Sequence, residues 1–479
     1  LGQEAQKRTR KRVSTQADDF AREGLYSLSS ASKPYIAWSD MAATTLASYF
    51  LNTSFGYDSR FILNLTGRID GSSMFGSAVR YAKFGSIGFA WNMHREEFME
   101  PLHFIDELKL RSSFGINGNL YNEWYGVDGL YTTTAVYNNT PAYVLSQLEN
   151  QRLTWEKNRP FDIGVDFSLF RNRLSGSFDY YKRVTSDLLL NAGVSATNGV
   201  TTQNRNIGSM ENTGIELALT SKNIVATKPD GFAWNTSFNI STGKNTITSL
   251  GGVRNMISGV YNREIGGDFY QFYMPGWAGV DPATGNGLWY RNGEKNSVTT
   301  NYDSASSFKQ GIARPKFFGS LTNTFEFKRF SLSFMLYVHW GGQVYDSWGS
   351  YTSSDGSAGV SDYGAIARVD YDNRWRKPGD IASSPKIVYG GSQTGLSSHV
   401  SSRFLYDASY IRLRDVTLSY HIPRNKVVQN ATIYLRGNNL FTYVKDDKLR
   451  LDPETYVGGV LNQNLPIARQ LLVGLDISL

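Results

Sequence analysis

Between Ser331 and Trp340 the side chains alternate strictly in character. Leu332, Phe334, Leu336, Val338 and Trp340 fall on one side of an extended chain, while Ser331, Ser333, Met335, Tyr337 and His339 fall on the other. A period of two is the signature of a strand with two unlike faces. It recurs at Phe161, Ile163, Val165, Phe167 and Leu169, set against Asp162, Gly164, Asp166 and Ser168. It recurs again at Leu471, Val473, Leu475, Ile477 and Leu479, set against Leu472, Gly474, Asp476 and Ser478. In a soluble sandwich such apolar sets are covered by a second sheet, but no helical pattern accompanies them here. Over Tyr410 to Tyr420 the phase slips: Ile411 and Leu413 share one parity, and Val416, Leu418 and Tyr420 the other. A β-bulge near Arg414 is the simplest cause.

Lipid is the expected cover for these faces. No run of 18 or more apolar residues exists, and the mean hydropathy is -0.35, which excludes helical membrane spans. A barrel strand shows lipid only every second side chain, and backbone groups in hydrocarbon are satisfied only in helices and closed barrels. Aromatic residues make up 14% of the chain, with 46 Gly and 29 Tyr, as barrel girdles and turns require. Connections alternate in length. Short turns fall near Asp58-Ser59, Arg171-Asn172, Lys328-Arg329 and Pro423-Arg424. Long Gly-, Ser-, Asn-, Asp- and Tyr-rich loops fall near 119-149, 191-205, 292-313, 346-404 and 444-466, on the side expected to be extracellular. Counting hairpins, with Gly287 to Tyr290 as a weak member, predicts about sixteen strands of a transmembrane antiparallel up-and-down β-barrel, an all-β fold. The first strand, Leu1 to Val13, runs outward and the last runs inward.

Chemistry-bearing patterns are few. Cysteine is absent, so neither disulfides nor thiolate metal sites exist. The net charge is +7, but the Lys7 to Arg12 stretch is the longest basic segment, so the charge reads as loops and lumen and not as a nucleic-acid surface. Gly279-Val280-Asp281-Pro282-Ala283-Thr284-Gly285-Asn286-Gly287 reads as a tight turn; it lacks the spaced acids and closing Glu of a calcium loop. His94, His103, His339, His399 and His421 show no metal spacing and read as rim or lumen residues. No Gly-x-Ser-x-Gly elbow occurs, and no carboxylate pair stands out as catalytic. The expectation is a protein that is not an enzyme, with neither cofactor nor metal. Five loop aromatics, Trp124, Tyr125, Tyr131, Trp348 and Tyr351, are candidate cargo contacts, because aromatic faces stack on sugar rings; an interfacial girdle or a lid contact is the alternative reading of each.

Several words of the sequence match a known family in order. They are Arg68-Ile69-Asp70-Gly71-Ser72-Ser73-Met74-Phe75-Gly76, Leu108-Lys109-Leu110-Arg111-Ser112-Ser113-Phe114-Gly115-Ile116-Asn117-Gly118-Asn119 and Leu153-Thr154-Trp155-Glu156-Lys157. Asn206-Ile207-Gly208-Ser209-Met210-Glu211-Asn212-Thr213-Gly214-Ile215-Glu216, Arg374-Trp375-Arg376-Lys377-Pro378-Gly379-Asp380, Ser409-Tyr410-Ile411-Arg412-Leu413 and Gly437-Asn438-Asn439-Leu440-Phe441-Thr442-Tyr443 follow. The chain resembles the C-terminal part of the SusC-like (RagA-like) TonB-dependent outer-membrane transporters of Bacteroidetes. Each word also has a plain structural reading, with Gly71, Gly76, Gly115 and Gly118 allowing bends or close approach.

The resemblance implies a barrel of about twenty-two strands in the cell outer membrane, with the plug domain and the first strands absent from this chain. A second chain or N-terminal fragment is therefore expected to complete the barrel and to carry the contact with TonB. It further implies active import of oligosaccharides or oligopeptides under a SusD-like lipoprotein lid, with a dimer of transporter-lipoprotein pairs among the implied assemblies. A passive single-chain porin is the alternative, since about sixteen strands suffice to close one.

Overall fold

The computed structural model describes residues 1–20, 22–24, 27–120, 124–228, 230–353, 355–356, 366–390, 396–423, 430–454, 457–462 and 465–478. Arg424 and Leu479, which figure in the expected last short turn and the terminal strand, lie outside them. Fourteen strands form one sheet in chain order: β1 (Gly2–Phe20), β2 (Ala31–Tyr57), β3 (Phe61–Ser72), β4 (Tyr81–Asn92), β5 (Ile105–Asn119), β6 (Glu156–Leu169), β7 (Leu174–Gly193), β8 (Thr202–Ile224), β9 (Phe232–Leu250), β10 (Phe317–Phe327), β11 (Phe330–Trp340), β12 (Tyr410–Ile422), β13 (Asn430–Val444) and β14 (Gln470–Ser478). This is the all-β, up-and-down antiparallel order expected. Two compact units divide the chain. The first comprises Leu1–Trp91, Arg111–Asp162 and Arg183–Met210; the second comprises Asn92–Leu110, Ile163–Lys182 and Glu211–Leu479.

The sheet holds fourteen strands where the hairpin count predicts about sixteen. Gly287–Arg291 accounts for part of the difference: it pairs with Trp277–Val280 and Glu294–Thr299 in a separate three-stranded sheet. The region read as the loop 292-313 is likewise structured, with Ser307–Ile312 in a four-stranded sheet. Loop 119-149 carries a hairpin, Leu130–Tyr137 with Thr140–Gln147. The first strand extends to Phe20, beyond the expected Val13.

The turns follow from their residues. Asp58 and Ser59 both take positive φ (52° and 53°), as a tight hairpin between right-twisted strands requires. Lys328 does the same between β10 and β11, and Phe170, Arg171 and Asn172 between β6 and β7. The phase slip on β12 is a bulge at Arg414: Met335 faces Asp415 and Leu336 faces Leu413, leaving Arg414 as the extra residue.

Register converts alternation into a continuous face. In the second unit Trp234 pairs with Phe325, Phe325 with Leu332, Leu332 with Leu418, Leu418 with Leu435, and Leu435 with Val473. This apolar belt stays exposed: Leu435 is 51% and Val473 77% accessible. Aromatic rows border it. Phe232, Phe327, Phe330 and Tyr420 line up at the short-turn end, and Phe317 pairs with Trp340 at the other. Ten residues of strand separate those two rows, about 25 Å of height at the usual tilt, the thickness of a lipid-facing band. The first unit repeats the arrangement, with Tyr57, Phe61 and Trp91 in one row at the short turn and Phe55, Leu65, Ile87 and Phe89 exposed on the same face. A water-soluble protein does not leave such a belt uncovered; hydrocarbon between two aromatic girdles is its proper surroundings. Among the described residues no helix is long and apolar enough to cross a membrane, so strands do the crossing.

Candidate functional site

The face opposite the belt carries charged and polar side chains. In the first unit Arg68 donates from Nε to Asp70 (2.5 Å) and from Nη2 to Ser48 (2.9 Å) and Glu4 (3.2 Å). Arg68 and Asp70, with Thr66, Phe84, Asn117, Asn119 and Trp155, line a cleft of about 490 Å³. Asn119 is held by a hydrogen bond to Glu156 Oε2 (2.9 Å), whose other oxygen accepts the Leu189 amide. Trp155 is almost fully buried; its Nε1 donates to the Arg80 carbonyl and its ring meets Phe75 and Phe84. Three of the family words interlock here. Gly76 donates to the Leu153 carbonyl, and a Cβ at Gly76 would stand 1.8 Å from the Gln151 carbonyl, so only glycine fits. Asn206 exchanges hydrogen bonds with the Thr154 backbone at 2.9 and 2.8 Å. These words are structural clasps of the cleft wall.

The sequence-predicted aromatics take different places. Trp124 lies against the guanidinium groups of Arg8 and Arg10, 5.6 and 5.1 Å from its ring centre. Tyr125 adopts a left-handed backbone (φ 61°) and its hydroxyl receives the Ala43 amide at 3.3 Å. Tyr131 is exposed on the loop hairpin. These three belong to the first unit. In the second unit Trp348 and Tyr351 pack on each other with tilted rings, centres 4.8 Å apart, and Trp348 Nε1 is tied to Asn462 Oδ1 (2.9 Å). Trp348 is therefore a loop-to-loop clasp, with Tyr351 the more accessible of the pair.

In that second unit the connections after β9, β11 and β13 share one core. Phe272, Met274 and Ala313 from the first of them pack with Tyr345 and Phe404 from the second, and Val460 from the third joins them. The family word at Arg374–Asp380 docks on the predicted tight turn. Trp375 Nε1 donates to the Pro282 carbonyl, and its ring covers Gly285, where a Cβ would fall 2.4 Å from the indole. Asp281 caps the same turn by accepting from the Ala283 amide and the Thr284 hydroxyl, so its carboxylate serves the turn. His399 packs edge-on against Tyr302, and His94 bonds the Leu108 carbonyl.

Buried charge fastens the same module. Asp370 accepts from Ser353 (2.8 Å), Ser384 (2.8 Å) and Arg450 (2.9 Å), beside Arg403 at 4.0 Å. A cavity of about 820 Å³ adjoins them, lined also by Asp407, Lys445 and Asp446. Burial alone pushes the Asp370 carboxyl up, but the hydrogen bonds from Arg450, Ser353 and Ser384 outweigh it and hold the group below the ordinary carboxylate range. A depressed folded pKa contributes stability at every pH above the unfolded value of about 3.9 and loses it as pH falls through the folded value. Asp370→Asn is expected to weaken the module by about 2 kcal/mol at pH 7, read as faster proteolysis of 366–390. In the unaltered protein the same loosening appears only in acid, below about pH 4.

An uncovered apolar belt between aromatic rows on one face, and a face bearing charged and polar side chains with open clefts on the other, define an outer-membrane β-barrel sheet. A family model described as TonB dependent receptor-like, beta-barrel matches residues 10–440, and the chain belongs to that family. It is 30% identical over 448 residues to TonB-dependent receptor P26 of Formosa agariphila, covering 88% of this chain and 43% of that protein. It is 28% identical over 463 residues to TonB-dependent receptor SusC of Bacteroides thetaiotaomicron, covering 90% and 44%. Among solved structures it superposes on the RagAB peptide importer in the closed-closed state with a TM-score of 0.80 and 25% identity, over 99% of this chain and 52% of that one. The chain thus spans less than half the length of these curated relatives. The family is one of TonB-dependent receptors and not of enzymes.

Proposed function

We propose that this chain is the wall, lumen surface and outer loop platform of a SusC-like transporter that imports oligosaccharides or oligopeptides across the outer membrane, under a SusD-like surface lipoprotein and driven by TonB. The observation that carries this reading is the two-faced sheet: one face suited to lipid, the other polar and lined with clefts of about 490 and 500 Å³, a size suited to a few sugar or peptide units. Membership of the TonB-dependent receptor family supports energised import over a passive porin, and the similarity to a peptide importer supports the oligopeptide class. Uptake of fluorescent oligosaccharides and oligopeptides by cells carrying the whole transporter tests it. Uptake should stop when TonB is deleted; uptake that persists undiminished without TonB would favour the porin.

Sidedness is part of the proposal. The module built from the connections after β9, β11 and β13 is placed outside the cell, where a lipoprotein lid would sit. Ser354 would be a natural labelling site in the 346-404 segment but lies outside the described residues; Ile381 is 97% accessible. Ile381→Cys should react with a membrane-impermeant maleimide on intact cells. Labelling that requires a ruptured outer membrane would place the module in the periplasm instead.

A further inference from the structure

Strand β1 concentrates cations, and the sheet sorts them by face. Arg8, Arg10 and Arg12 pair with Thr44, Ala42 and Asp40 of β2, two residues apart along the strand. They therefore share one side, spread over about 13 Å. It is the polar side, because Glu4, four residues before Arg8 on the same parity, reaches Arg68 at 3.2 Å. Lys7 and Lys11 have the opposite parity and point to the other face.

Two indoles lie among the three guanidinium groups. Trp124 is flanked by Arg8 and Arg10, and the Arg12 guanidinium sits 5.0 Å from the Trp38 ring centre. Negative charge is scarce. Asp40 stands 3.5 Å from Arg10, and among the described residues no other carboxylate is within ion-pair distance of these three arginines. Arg68 provides the contrast, since Glu4, Asp70 and Ser48 all engage it. All three ladder arginines are exposed. Neighbouring like charges about 6.6 Å apart repel by about 0.6 kcal/mol even in water, and guanidinium–indole stacking at exposed sites returns about as much. Within this chain the fold gains little from the ladder.

We infer that Arg8, Arg10 and Arg12, with Trp124 and Trp38, form a binding site for an acidic oligosaccharide and select anionic over neutral cargo. The inference rests on the reading of this face as the cargo-contacting wall. A planar guanidinium takes a carboxylate or a sulfate by two parallel hydrogen bonds, and an indole face offers an apolar platform to the sugar ring. A lysine run could not supply that planar fork.

The test uses the whole transporter, purified in detergent, with calorimetric titration of three tetrasaccharides: tetragalacturonate, a sulfated tetrasaccharide and neutral maltotetraose. One or both acidic probes should bind at least about tenfold tighter than the neutral one, a difference of about 1.4 kcal/mol. Which of the two binds tells carboxylate from sulfate recognition. Replacing all three arginines with Gln should erase that difference and leave maltotetraose unaffected. Replacing Lys7 and Lys11 with Gln removes charge from the other face and should change nothing. If the triple Gln variant fails to assemble, Arg10→Gln alone and the triple Lys variant serve, each expected to lose several-fold in acidic binding only. The inference is overturned if the unaltered protein does not discriminate, if the arginine variants keep full acidic affinity, or if the Lys7/Lys11 pair matters equally. Cells that import the acidic and the neutral probes without discrimination would sink the ladder and leave import standing. Charge-selective binding by a protein whose cells take up none of the three probes would sink import and leave the ladder standing.

Discussion

Arg412→Ala is expected to destabilise the second unit by about 3 kcal/mol and to free the connection between β13 and β14. Arg412 is 1% exposed, yet its Nη2 donates to Asp452 at 2.6 Å and its Nη1 to Glu454 at 2.9 Å. Asp452 also receives the amides of Glu454 and Ile467, so one arginine on β12 pins a returning strap by two carboxylates. Breaking a buried pair costs about 3 to 5 kcal/mol, and the lower end applies because Glu454 keeps contact with water. Arg414 is the internal comparison. It shares Glu454 at 3.0 Å but is itself partly exposed, and Glu454 would retain Arg412 if it were lost. Arg414→Ala should therefore cost about 1 kcal/mol or less. The readouts are the urea midpoint and the rate of tryptic cleavage at Lys448 and Arg450. Equal effects of the two substitutions would show that the strap is held by its apolar contacts instead.

What is legible in the sequence is what neighbours along the chain decide. The lipid-facing parity of β11, the bulge at Arg414 and the hairpin turns at Asp58-Ser59 and Lys328-Arg329 all follow from local period and turn chemistry. Gly287 to Tyr290 counts in the sequence as a weak barrel strand because it keeps short and long connections alternating, but its partners are its own neighbours, in a sheet whose Trp289 is fully buried. Only tertiary pairing separates a strand of the wall from a strand of a loop. The loop module is illegible for the same reason: Met274, Tyr345 and Val460 come from three different connections. Among the candidate aromatics, Trp348 is fastened to Asn462. Trp124 acquires its meaning from Arg8 and Arg10, residues more than a hundred positions away. The basic stretch and the aromatic residue are each visible in the sequence, but their juxtaposition is not.

The second large effect concerns the belt, and it separates lipid from a packed core. Leu336 lies in register with Leu321 on one side and Leu413 on the other, inside the band bounded by Phe327-Phe330 and Phe317-Trp340. Leu336→Arg is expected to cost about 2 to 4 kcal/mol, the penalty for a charge near the bilayer midplane. Met335 is the control one residue away. It faces Thr322 and Asp415 and lines an open cleft of about 500 Å³ with Arg436 and Asn438, so Met335→Arg should assemble normally even where it alters transport. A buried core residue at Leu336 would also reject arginine, which makes Leu336→Ala the informative partner. In a close-packed core that truncation leaves a fixed cavity and costs about 2 to 5 kcal/mol. Fluid lipid fills the space left by the lost methyls, so only the transfer part of the cost remains and the loss should stay below about 2 kcal/mol. Assembly yield and urea midpoint of the three variants decide the matter. A lipid-facing residue gives Leu336→Arg far below Leu336→Ala, with Met335→Arg near the unaltered protein. Equal and severe damage from Leu336→Ala and Leu336→Arg would mean that protein, not lipid, covers the belt.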